Sequence, residues 1–558
     1  MKKWLLGVVL PLAILLVSCN IDEEVNFGEA PRIELSGSGV YELKLGETLT
    51  ISPRVESAEG ASYKWTLDGK KVGAAASYRF KAEQVGTFYL TLEVSNEMGS
   101  DKADFRIEVV ALQLPVVSLA VGADGRMELL KGREYELLSS VANSKGAKYE
   151  WSLDGKVVGE EPSLSVQIDQ NGEYQLSLKV RNDDGEAEAT ATLCVVERLA
   201  PALSCGAAKR YVSLGRALYI EAVTENFLSP EFSWSVDGEA VEGGKVLAFE
   251  PAAEGEYCVE VVATDSDGMT LTARVQVVCC AEEGAYRREA TAESQRSWSR
   301  LFEYTPAPGQ FINEDKSGFA GEQSAEAAVK YAEKRLQSGG YLSLGGWGGY
   351  VVVGFDHSIA NGSGSDFVIR GNMHEGSSEA GVVWVSQDTN GNGQPDDEWY
   401  ELRGSEYDKP TSWRDYAVTY YRPAAEQMDV LWRDNRGGAG RIARMDAHKQ
   451  AHYFPAWVEG AEFTLRGTRL KDNTTLDSVT GNYVNAPFAW GYADNLGSDL
   501  GEGGGQVNEF DIANAVTAGG HDADLQYIDF VKVQTAINHS AGHLGEISTE
   551  VCGIEIQN

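Results

Sequence analysis

The chain has 558 residues and carries 48 Lys and Arg against 84 Asp and Glu, a formal net charge of −36. That length predicts several domains, each able to bury its own core. So acidic a balance excludes nucleic acid as the partner and an electrostatic grip on anionic lipid, since both need basic surface, and 61 glycines without a Gly-x-y period exclude collagen.

Lys2 and Lys3 precede an apolar run from Trp4 to Val17, too short for a comfortable spanning helix. The run ends in Leu16-Val17-Ser18-Cys19, which resembles the bacterial lipobox. That resemblance implies a signal peptide over 1–19, cleavage before Cys19, and acylation of its thiol and new amino group. The segment 20–29 contains Asp22-Glu23-Glu24 and resembles the surface-export signal of Bacteroidetes lipoproteins. The implied location is the outer membrane, facing the cell exterior, through lipid chains alone.

One unit then occurs three times, over 30–112, 113–198 and 199–283. Its marker is a Trp followed by an Asp-Gly turn: Trp65 with Asp68-Gly69, Trp151 with Asp154-Gly155, and Trp234 with Asp237-Gly238. An aromatic lies 23 residues after each Trp, at Phe88, Tyr174 and Tyr257, and a Gly another 11 residues on, at Gly99, Gly185 and Gly268. Alternating runs such as Tyr89–Val94 bury one face, and Asp-Gly predicts a tight hairpin. These units resemble PKD-like domains, which implies three immunoglobulin-like sandwiches acting as a spacer or adhesion module, with each Trp in a core. Five of the seven cysteines, Cys194, Cys205, Cys258, Cys279 and Cys280, fall in or beside the third unit. Their clustering allows one or two disulfides stapling it, with connectivity open.

The segment 284–558 differs in texture: it holds all seven His and eight of the twelve Trp. Ser324 caps an expected helix over Ala325–Leu336, with Ala328, Val329, Ala332 and Leu336 as its buried stripe. A second short helix is expected over Phe510–Val516. Strands are expected at Tyr350–Phe355, Asp366–Ile369, Val382–Gln387, Trp399–Leu402, Ala417–Arg422, Glu462–Arg466 and Tyr527–Gln534. The chain is therefore predicted to be mainly β, ending in a larger jelly-roll-like sandwich with one or two helices. Phe488–Asn495, Ile528–Thr535 and Gly545–Val551 together resemble the C-terminal domain of uncharacterised Bacteroidetes cell surface proteins, which implies a location and a domain organisation rather than an activity.

The sharpest motif is Asp388-Thr389-Asn390-Gly391-Asn392-Gly393-Gln394-Pro395-Asp396-Asp397-Glu398. Oxygen-bearing residues recur at alternate positions and Gly393 stands at the sixth, a spacing suited to Ca²⁺. The run resembles the calcium loops of EF-hand and dockerin proteins but has Trp399 at the twelfth position. The resemblance implies a structural Ca²⁺ held by Asp388, Asn390, Asn392, the Gln394 carbonyl, Asp396 and Glu398.

For a ligand site the expected residues are Trp347, Asp356, His357, Asp366, Glu379, Trp490 and Tyr492, with Trp399, Trp432 and Trp457 as further stacking surfaces. His448 and His452 would share one helix face, without the His-Glu-x-x-His of a zinc protease. The acids show no recognisable catalytic pairing, so the leading expectation is a non-enzymatic surface protein whose C-terminal domain captures a ligand. A glycan comes first, then a scarce nutrient such as a corrinoid, with an outer-membrane transporter as a possible partner. The alternatives are a glycoside hydrolase using Asp356, Asp366 or Glu379, and an adhesive or structural protein with a protein partner.

Overall fold

The computed structural model describes residues 28–501 and 505–557, so the signal segment, Cys19 and the acidic run 22–24 lie outside the described residues. No helix among them is long and apolar enough to cross a membrane. The chain forms two compact units, one ending at Gln113 and one beginning at Leu114.

The first unit is one β-sandwich. Its five-stranded sheet runs Val40–Lys44, Gly99–Val110, Gly86–Asn96, Ser62–Leu67, Lys70–Gly73, the first pair parallel and the rest antiparallel. The same order returns twice in the second unit. It runs Arg126–Leu130, Gly185–Val196, Gly172–Asn182, Lys148–Leu153, Lys156–Gly159, and then Lys209–Leu214, Thr270–Glu282, Gly255–Thr264, Glu231–Val236, Glu239–Val241. Each marker Trp is buried in its own core. Its indole Nε1 donates to the carbonyl ten residues on, at Ala75, Glu161 and Gly244 respectively, over 2.8, 2.9 and 2.8 Å. The hairpin Asp of each unit adopts positive φ (48°, 47° and 52°). Its carboxylate accepts from the backbone N–H of Tyr89, Gln175 or Cys258, which offsets that conformation.

No disulfide staples the third unit: every described cysteine is a free thiol. Cys279 and Cys280 are neighbours on one strand and therefore point to opposite faces.

In the C-terminal domain a six-stranded sheet runs Arg300–Thr305, Tyr350–Ala360, Tyr527–Thr535, Gly381–Ser386, Trp399–Leu402, Ala515–Val516. One face, with Val351, Val353, Val383, Val385, Val531 and Val533, packs in the largest core. That core also takes the helix Ala325–Gln337 through Ala328, Ala332 and Leu336, and the three-stranded sheet of Val507–Phe510, Phe367–Arg370 and Gly553–Ile556. Ser324 caps the helix by accepting from the Ala327 N–H. A four-stranded sheet built on Trp413–Tyr421 and Glu462–Arg469 has its own core around Trp347 and Tyr420. Two expectations are corrected. Residues 510–516 hold only a 3-10 turn at Ile512–Asn514, between two strands. His448 and His452 lie in a loop, where His448 Nδ1 is 2.9 Å from Glu314, so they share no helix face.

Nor are the second and third repeats a free stalk, because both pack on the C-terminal domain. Ala120 and Leu138 share a small core with Leu431, and Ala424 N–H donates to Ser118 Oγ. Arg210 grips Glu398 through two hydrogen bonds of 3.0 and 2.5 Å, and Arg216 donates to the carbonyls of Ala523 and Asp524. The acceptors Ala523 and Asp524 lie in the turn that leads into the Tyr527–Thr535 strand.

Candidate functional site

The other face of the six-stranded sheet floors a cleft of about 570 Å³. Strand register sets Val352, Lys532, Trp384, Glu401 and Val516 in one row across five strands. Side chains alternate along each strand, so this row faces away from the valine core. Trp399, two residues before Glu401, shares its face. Trp413 and Arg414 rise from the four-stranded sheet, at an irregularity in register between Trp413 and Tyr416 that re-aims them. Glu221, Val223 and Lys245 of the third repeat close the remaining side.

Three half-buried tryptophans, Trp384, Trp399 and Trp413, give the cleft its apolar surface. The Lys532 ammonium lies 4.7 Å from the Trp384 ring centroid, 5.1 Å from Trp399 and 5.7 Å from Tyr350. Burial pushes its pKa down to about 8, with the charges of Glu303 and Glu401 acting the other way. Glu401 accepts from Thr468 Oγ1 over 2.6 Å; burial holds its carboxyl up at about 7, and that hydrogen bond, Arg414 and Lys532 act the other way. Two lining residues each carry a buried polar atom with no hydrogen-bond partner, Trp384 Nε1 and Gln534 Oε1. Five basic side chains line it against three acidic ones, the reverse of the chain's overall balance.

The expected ligand residues lie elsewhere. Trp347 is 1% exposed and packs edge-on against Tyr416 at 4.7 Å, so it offers no stacking surface. Tyr492 is buried against Phe488, and its hydroxyl accepts from the Glu406 N–H. Asp366 is buried and caps backbone, accepting from Gly362 and Ile512 N–H. Asp356 and His357 pair with each other at 2.6 Å away from the cleft lining, and Asp356 accepts from Gln295 N–H. Trp490 is partly exposed and lines a separate recess of about 290 Å³. Trp432 packs against the core around Trp347, and Trp457 is buried in the largest core. Only Trp399 of the expected aromatics reaches the cleft. Lys532 had one legible signal, a lone cation between Val531 and Val533 on an expected strand. Trp384 and Trp413 had none, since the fold alone brings them together.

Glu379 joins Asp494 and Glu550 in a trio whose carboxylate oxygens lie within 4.8 Å of one another, close enough to share a cation or protons. Asp494 already accepts backbone N–H groups from Asn372 (2.9 Å), Met373 (2.8 Å) and Glu550 (3.0 Å), so it is the natural anion of a proton-sharing group. Burial holds all three above the usual carboxylate range, helped for Glu379 and Glu550 by repulsion from their trio neighbours, with Glu379 up to about 8 and Asp494 up to about 7.

In the Asp388–Glu398 loop, Asp388 Oδ2 accepts from Gly393 N–H, and Asp396 accepts from the Asn390 and Asn392 amides. Asn390 Oδ1 and Asn392 Oδ1 accept from the N–H of Asn392 and Gln394. Glu398 is committed to Arg210 instead. Asp397, absent from the expected ligand set, is buried in the loop, and burial followed by the charges of Asp396 and Asp388 pushes it up to about 8.

The PKD-like domain family model matches residues 30–96 and 115–182, so the first two repeats are PKD-like domains. Among curated proteins, the chain is 23% identical over 249 residues to muscle M-line assembly protein unc-89 of Caenorhabditis elegans, covering 39% of this chain and 3% of that protein. It is 27% identical over 161 residues to polycystin-1 of Homo sapiens, covering 27% of this chain and 4% of that protein. It therefore spans only a few per cent of these relatives' length. Similar solved structures include an I-band fragment I67-I69 from titin (17% identity, TM-score 0.22, 45% of this chain and 99% of that one). The three N-terminal domains of the bacteriophage RB49 outer capsid protein Hoc match at 14% identity and TM-score 0.21, over 46% of this chain and 99% of that one.

Proposed function

We propose that this protein is a lipid-anchored outer-membrane protein, attached through Cys19 and facing the cell exterior, that captures an acidic glycan in the tryptophan-lined cleft. The observation that supports this most is a basic, aromatic concavity on a chain of net charge −36. Sugar rings stack on indole because their C–H faces are apolar, while a carboxylate or sulfate pairs with cations at the rim. Among the described residues neither Arg414 nor Lys532 has an ion-pair partner; Arg414 contacts the Tyr407 hydroxyl and Lys532 the aromatic rings. A volume of about 570 Å³ is within the ordinary range for ligand sites. The PKD-like repeats suit a surface protein, and the third forms one wall of the cleft.

Glycoside hydrolysis is the less favoured reading. Of the three acids in the cleft, Glu221 pairs with Lys245 and Asp415 with Arg436, each at 2.7 Å. That leaves Glu401 as the one acid without a basic partner, where glycosidic chemistry takes two carboxyl groups.

The test is titration of the full mature chain, followed by tryptophan fluorescence and calorimetry, with uronate-containing, sulfated and neutral oligosaccharides and with a corrinoid. Acidic oligosaccharides are expected to bind, and Trp384→Ala to abolish that binding. Equal affinity for neutral sugars, or binding of the corrinoid alone, would overturn the acidic-glycan assignment; silence throughout would favour adhesion. Lys532→Met should separate function from stability. Replacing a half-buried cation with an apolar chain of similar length should stabilise the fold by about 1–3 kcal/mol in urea melts while removing ligand affinity.

A further inference from the structure

The loop joining the strands of Trp384 and Trp399 buries carboxylate oxygens that the protein does not satisfy. Asp388 is 4% exposed and Asp397 is 7% exposed. Asp388 Oδ1 and both carboxylate oxygens of Asp397 lack a well-aligned hydrogen-bond partner, the Thr389 and Asn390 N–H groups alone facing Asp397. Buried carboxylates left in this state are costly unless a cation or a proton meets them, and native folds leave few such groups. The loop's other acids, Asp396 and Glu398, are fully engaged by contrast: one is bonded by the Asn390 and Asn392 amides and the other by Arg210.

We propose that this loop is a Ca²⁺ site anchored by Asp388 and Asp397, completed by the side-chain oxygens of Asn390 and Asn392 and the Gln394 carbonyl. Two carboxylates balance the charge of one divalent cation. Asp388 Oδ1, the two Asp397 oxygens, two carboxamide oxygens and one carbonyl give six oxygens, the lower end of what Ca²⁺ takes. Each Asn Oδ1 accepts one backbone N–H and keeps a second lone pair for the ion. The segment 387–398 contains no His or Cys, so its donors are all hard oxygens, which suit Ca²⁺ over zinc. Mg²⁺ prefers to keep its waters, and a loop that curls through Gly391 (φ 74°) and Gly393 (φ 69°) supplies many ligands from one short stretch instead. Asp397, not Glu398, is then the distal acid of the loop. The ion would pin the turn between Ser386 and Trp399, and so the spacing of two cleft tryptophans, while leaving Glu398 free to hold the third repeat through Arg210.

The experiment uses the full mature chain stripped with EGTA and titrated with CaCl₂ by calorimetry, with no glycan present, so that its outcome is independent of the capture reading. Thermal melts with and without Ca²⁺ accompany it. Calcium binding with a rise in Tm is expected for the native chain and for Glu398→Gln. In Asp397→Asn affinity should fall by about tenfold or more, since even changes outside the ligand shell cost about 10–100-fold, and the Tm rise should vanish. Asp388→Asn is the second variant should Asp397→Asn not fold, and circular dichroism distinguishes the two cases. Absence of calcium binding, unchanged affinity in both Asp variants, or equal affinity for MgCl₂ would overturn the assignment.

Discussion

Raising the pH from 5 to 8 is expected to destabilise the 114–558 unit by several kcal/mol, against the usual behaviour of an acidic protein. Burial, joined for Glu379 and Glu550 by the charge of their trio neighbours, holds Glu379, Asp494 and Glu550 above the carboxylate range, and burial holds Glu401 and Glu546 up at about 7. The unfolded chain releases these protons near pH 4–4.5. Between there and about pH 8 the native state binds more protons than the unfolded state, so stability is fully present below the unfolded values and falls as pH rises through the folded ones. Each retained proton contributes a slope of about 1.4 kcal/mol per pH unit. Two protons retained over two units therefore amount to about 5.5 kcal/mol. Lys532 has the opposite sign: with a folded value near 8 and an unfolded value above 10, it returns some stability as pH rises beyond 8. Urea melts of the full chain in saturating Ca²⁺ at pH 5, 6, 7 and 8 measure this directly. Glu550→Gln should flatten the decline, because it removes one member of the trio while keeping its shape. A profile that is level or rising from pH 5 to 8 would show that the trio is not protonated in the fold.

Trp151→Ala should cost about 3–5 kcal/mol, the range for emptying a large aromatic from a closed core. Trp151 is fully buried, and its indole also satisfies the Glu161 carbonyl. Trp151→Phe refills most of the volume but strands that carbonyl, so about 1–3 kcal/mol is expected from the lost hydrogen bond and the smaller ring. Trp234→Ala should behave like Trp151→Ala, because the same indole bond recurs to Gly244. It should also weaken ligand binding, since the third repeat contributes Glu221, Val223 and Lys245 to the cleft wall. If these tryptophans were exposed glycan platforms, alanine would abolish binding and leave the melts unchanged. Comparing melts with titrations for the same variants tells the two apart.

The three repeats were legible because their determinants are local. A Trp on an alternating strand, an Asp-Gly hairpin and an aromatic at fixed spacing all fall within a single unit, and every copy repeats them. The helix at Ala325–Gln337 was legible for the same reason, through Ser324 and its apolar stripe. The short segment at 510–516 misled because its composition suits either structure; pairing of Val507–Phe510 with Phe367–Arg370, and of Ala515–Val516 with Trp399–Leu402, decides for strand. In the loop at 388–398 the spacing located the acids, but that Glu398 is taken up by Arg210, nearly two hundred residues away, only the fold decides.

By itself, then, the sequence determined the mainly β fold, the number and local geometry of the repeats, and the place of the acidic loop. Only the tertiary structure decided the site. Trp384 and Glu401 come from consecutive strands and Lys532 from one much later in the chain, and the register of one sheet sets them side by side. Tryptophan spacing along a strand cannot say which face meets the core, because that is settled by what packs on the other side. Trp347 and Tyr492, set among glycines and asparagines as loop residues are, close cores instead, while the third repeat packs beside the sheet and walls the cleft.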